Sequence, residues 1–81
     1  MNVETAKQMV INAGRGMHDG YQKIGKDCGP YPEDDIGEQI AIGLYAIGRF
    51  ISGKHAIPEA DIAKQIVVAE IMAGRLPTVN R

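Results

Sequence analysis

The chain has little of what most chemistries need. Its 81 residues include one cysteine, no tryptophan and two histidines. A lone Cys28 rules out an internal disulfide and a multi-cysteine zinc site. Ser52 is the sole serine, so no Gly-x-Ser-x-Gly nucleophile turn exists. His18 and His55 are too few and too far apart for His-x3-His metal spacing. No charge of one sign prevails: nine cations face ten carboxylates, giving a formal charge of −1. That balance argues against a nucleic-acid coat or a polybasic membrane anchor. No apolar run approaches the roughly 18 residues of a membrane span. The opening, MNVETAKQMV, lacks an apolar signal core, so a cytoplasmic location is expected, in a bacterium or an infected host cell.

What is present is an ordinary globular composition, 44% hydrophobic and 23% charged. Eighty-one residues make one domain. A chain of this size buries only about 60–65% of its unfolded surface, so a dense core or a partner is needed.

Two breakers, Cys28-Gly29-Pro30-Tyr31-Pro32 and Gly53 to Pro58, divide the chain into three periodic segments. In the first, about 3–26, Val3, Ala6, Val10, Ala13, Met17, Gly20 and Ile24 recur at helical spacing. Asn2 suits an N-cap. Gly14, Gly16 and Gly20 each weaken a helix by about 1 kcal/mol, so either a close backbone approach compensates or the helix breaks there. The second segment, about 33–52, opens on Pro32 and three carboxylates and closes on Gly53. Asp35 and Glu38 have capping-box spacing. Ile36, Ile40, Leu44, Ile47 and Ile51 form one face, and Ile42, Tyr45 and Phe50 point elsewhere. A helix apolar nearly all round is expected to be central, or to bury its second face against another chain. The third segment, about 58–73, begins at Pro58 and stops at Gly74, with Ile62, Ile66, Ala69 and Ala73 as its stripe, flanked by Val67 and Met72. Residues 77–81 are expected to form a frayed tail.

The expected fold is therefore all-α: a compact three-helix domain with a central, nearly all-apolar second helix. Eleven isoleucines against two leucines keep a small α+β fold as the alternative, with strands at Gln39–Ala46 or Gln65–Ala69.

Gly48 to Lys54 has the GxxxxGK spacing of a phosphate loop, but a helical segment precedes it and His55 stands where Ser or Thr would hold magnesium. His18-Asp19 resembles half of a metal dyad without the further ligands. No catalytic, cofactor or metal set emerges, and the expectation is a non-catalytic binding protein. Cys28 has no local mark of an activated thiol. Ile42, Tyr45, Arg49 and Phe50 are the expected oligomer interface, in a homodimer or higher assembly. Glu33, Asp34, Asp35 and Glu38 form an acidic patch able to meet a basic protein surface. A phage or mobile-element accessory protein that inhibits host defence machinery fits this profile by base rate alone. The alternative is an oligomeric sponge for an anionic nucleotide held by Tyr45, Arg49 and Lys54. A small DNA-binding protein or a metal-dependent enzyme using His18 and Asp19 ranks third; Glu59 and Asp61 at the start of the third helix would repel phosphates.

Overall fold

The computed structural model describes residues 1–79. Three α-helices account for most of them: α1 (Val3–Lys23), α2 (Ile36–Phe50) and α3 (Pro58–Met72), with a short 3-10 turn at Gly53–His55. No strand occurs among the described residues, so the all-α expectation holds and the α+β alternative falls.

Local chemistry sets the helix ends. Asn2 Oδ1 accepts from the Thr5 amide at 2.8 Å, and Asp35 Oδ1 accepts from the Glu38 amide at 3.0 Å. The second helix therefore starts at Ile36, three residues later than expected; the Asp35 amide donates back to Pro32 O, and Gln39 Nε2 donates to Pro32 O and Glu33 O, holding this stretch as a turn. α1 stops at Lys23 rather than near Lys26. Gly25 takes φ +83°, and its amide and that of Lys26 return to Gln22 O and Tyr21 O. Gly74, at φ +76°, closes α3 in the same way, with Arg75 donating to Glu70 O. Both are Schellman ends, which need a left-handed residue.

α1 runs unbroken through Gly14 and Gly16. The compensation is a close backbone crossing. A Cβ added at Gly14 would lie 2.7 Å from the Gly43 nitrogen, and one added at Gly43 would collide with the Val10 carbonyl. Two glycines thus let α1 and α2 pack backbone on backbone.

The expected central position of the second helix is corrected. α1 packs along both other helices, while α2 and α3 touch at few points. Ala6, Val10 and Ile11 of α1 meet Ile40 and Ile47 of α2 and Ala60, Ala63 and Val67 of α3. The stripe of α3 is rotated from the one its isoleucines suggested. Small residues face α1, whereas Ile62, Ala69, Met72 and Ala73 are exposed. Val3 and Gly20 of the first stripe and Ile36 of the second are exposed as well. The molecule measures 37 × 32 × 19 Å, close to two helix layers thick.

The expected fray after Pro77 is corrected for its first residues. The Thr78 backbone covers Gly37, where an added Cβ would lie 2.7 Å from Thr78 O, and Leu76, just before the expected tail, packs against the core. Asn80 and Arg81 lie outside the described residues.

Candidate binding surface

Where α1 and α2 end side by side, a shallow groove opens to solvent. Met17, Gly20, Tyr21 and Ile24 line it from the α1 side and Phe50 from α2. The Tyr21 and Phe50 rings meet edge to face at 6.1 Å. The groove holds about 230 Å³, and its walls are almost wholly apolar. Lys26 Nζ sits 5.4 Å from the Tyr21 ring centroid, placing a cation at the edge. Ile24 is 69% exposed and Phe50 46% exposed.

Of the expected interface residues, Tyr45, Arg49 and Phe50 are exposed and Ile42 is half-buried. Only Phe50 joins the groove. Its α1 wall was visible as a pattern but misassigned: Met17, Gly20 and Ile24 belong to the regular stripe of the first segment. That stripe continues past the point where α2 and α3 can cover it.

A second cluster ties the connection between α1 and α2 to the face of α1. Arg15 makes a bidentate pair with Glu33, at 3.0 and 3.1 Å, and lies 4.3 Å from the Tyr31 ring centroid. The Arg15 hydrogen bonds hold the Glu33 carboxyl below its usual range, and Glu33 in turn raises the Arg15 guanidinium. Burial pushes the Tyr31 phenol up. His18 Nε2 donates to Gly29 O at 2.9 Å, since a carbonyl can only accept, and Gln22 donates to the same oxygen. His18 Nδ1 is enclosed, 3.8 Å from Asp19 Oδ1, without a hydrogen bond. Its ring also packs edge-on against Tyr31 at 5.5 Å. His18 is thus a strut for the connection, and Asp19 stands exposed beside it. No group of three or more His, Cys, Asp or Glu that could hold a metal ion occurs among the described residues.

The acidic patch is partly committed within the chain. Glu33 is held by Arg15, Asp35 caps α2, Glu38 is half-buried, and Asp34 is exposed. Tyr45 and Arg49 stand one turn apart on the exposed side of α2, and Lys54 lies in the 3-10 turn beyond it. The phosphate-loop spacing covers the end of α2 and that turn, so no strand-loop-helix cradle forms. Cys28 is exposed, its thiol 3.8 Å from Lys26 O.

No helix among the described residues is long and apolar enough to cross a membrane. No protein-family model matches the chain, and no curated protein or solved structure matches it either. The class the fold and surface define is therefore a small all-α domain with unburied apolar faces.

Proposed function

We propose that this chain is a non-catalytic binding protein that works as a homo-oligomer and, once assembled, engages a further protein surface. The observation that carries the reading is the apolar surface left uncovered. In addition to the groove residues, Met72 is 84% exposed, Tyr45 58% and Ile62 48%. Single exposed apolar residues are ordinary, but an apolar groove together with several large exposed side chains on so small a chain is the mark of an interface. The total area agrees: 5379 Å² exceeds the roughly 4,800 Å² expected of a compact monomer of this mass. A net charge near zero puts little repulsion in the way of self-association.

The acidic residues supply less to a partner than their number suggests, because Glu33 and Asp35 already have intramolecular partners. The further surface is thus better sought around exposed Tyr45 and Arg49, residue types enriched at binding hot spots.

Native mass spectrometry of the protein purified from its expressing cell tests the reading. An oligomer without added mass is expected. A monomer throughout the micromolar range rejects self-association. An oligomer carrying a few hundred extra daltons per site rejects the protein-binding reading in favour of a small-ligand sponge.

A further inference from the structure

We propose that the outward face of α3 in one copy seats in the apolar groove of another copy, so that the self-contact joins two different surfaces of the chain. The inference rests on the self-association reading and specifies how it is built.

The outward face of α3 has its own pattern. Ile62, Gln65, Ala69 and Met72 are all exposed and follow one another at spacings of three, four and three. That is the spacing of the seam along which one helix packs on another, with Gln65, which donates to Asp61 at 2.8 Å, as its one polar member. The opposite side, with Ala60, Ala63 and Val67, is already used against α1. The chain cannot cover the outward seam itself, because α3 points it away from its own core.

The groove suits a helix face better than a small molecule. At about 230 Å³ it falls below the roughly 300–1,000 Å³ of drug-sized sites. It is open, and it lacks the convergent polar groups that orient such ligands. It has room for one or two side chains from a single turn of α3, such as Ile62; Met72, about 15 Å further along the helix, meets the surface beside it.

Charge decides between the possible pairings. Lys26 stands over the groove wall, Lys23 lies in the same turn of α1, and Arg49 precedes Phe50 in α2. The α3 seam begins beside Glu59 and Asp61 in the first turn of its helix; Asp61 already lies 3.9 Å from Lys64 Nζ and accepts from Gln65, so Glu59 supplies the complementary charge. Groove against groove would set cations against cations. Seam against seam would leave both grooves open. Seam into groove covers both apolar faces and brings opposite charges together. Such a contact closes into a reciprocal dimer or ring, or propagates as a chain.

Sedimentation velocity with two variants tests this. Ile24→Glu places a charge in the groove, and Met72→Glu places one in the seam; both side chains are largely exposed, and circular dichroism checks that the helices persist. Each variant alone is expected to be monomeric where the wild type assembles. Mixed one to one, they are expected to form a heterodimer, because the first keeps its seam and the second its groove. A mixture that stays monomeric overturns the seam-in-groove contact, and so does either variant assembling like the wild type. A monomeric wild type overturns the self-association reading itself, which is a separate result. Charge reversal repeats the test with both apolar faces intact. Lys26→Glu and Glu59→Lys should each weaken assembly, and mixing the two should restore it; a mixture that stays weak overturns the contact as well.

Discussion

At the residue scale, the ten glycines divide sharply in what they do. Gly43 is a contact residue. A methyl there meets the Val10 carbonyl, a backbone atom that no rotamer change can move. Gly43→Ala should therefore cost about 1–3 kcal/mol or more, in line with overpacked cores. Gly16 is the control: it lies inside α1, is exposed, and an added Cβ meets nothing within 4 Å. Gly16→Ala should stabilise by about 0.5–1 kcal/mol through helix propensity alone. Urea denaturation of the two variants checks both signs, and a destabilised Gly16→Ala would mean that α1 bends there. The sequence raised close approach as one answer to the glycines of α1. It could not pair Gly14 with Gly43, because the partner lies 29 residues away on a helix whose rotation was not yet known.

At the element scale, existence was legible and rotation was not. Asn2, Asp35, Pro58 and Gly74 mark helix ends by side-chain or backbone chemistry that acts within a few residues. Local rules reach that far. The buried side of α3 follows instead from which neighbour it meets. α3 carries apolar residues on every side, interleaved with Glu59, Asp61, Lys64 and Glu70, so the stripe drawn through its isoleucines was weakly marked, and packing chose the side with small residues, Ala60 and Ala63, for close contact with α1. The connection between α1 and α2 was legible only as a breaker; that Arg15, His18 and Gln22 would bind it depended on their sharing one face of α1. These ties are exposed and should matter locally more than globally. Arg15→Ala should speed hydrogen exchange of the Glu33 and Asp35 amides, which donate to Tyr31 O and Pro32 O, and leave the core amides nearly unchanged. The pair also has a pH signature. Glu33 has a lowered carboxyl pKa in the folded chain, so its contribution is fully present above the unfolded value of 4.5 and is lost as pH falls through the lower folded value. Protection of the connection, taken relative to the intrinsic exchange rate at each pH, should therefore fall below about pH 4.5, and Glu33→Gln should show the low protection already at neutral pH.

At the scale of the whole molecule, the position of α1 explains why so much apolar surface is left. One helix carries both contacts, so α2 and α3 each lean on a single neighbour and leave their far sides to solvent. A three-helix chain in which each helix met both others would have covered Ile62, Met72 or Phe50. Here each is exposed, and the molecule stays about two helices thick. If a second copy completes the burial, folding and association are linked, and stability must depend on protein concentration. The melting temperature of the wild type should rise as the chain is concentrated across the micromolar range, because only the folded state has the seam and the groove that associate. Met72→Glu should melt at one temperature whatever the concentration, near the dilute limit of the wild type, since Met72 touches solvent and contributes little within its own chain. A scanning-calorimetry series over concentration reads both. A flat wild-type series would place the whole stability of the fold within one chain and leave its exposed faces to a different protein.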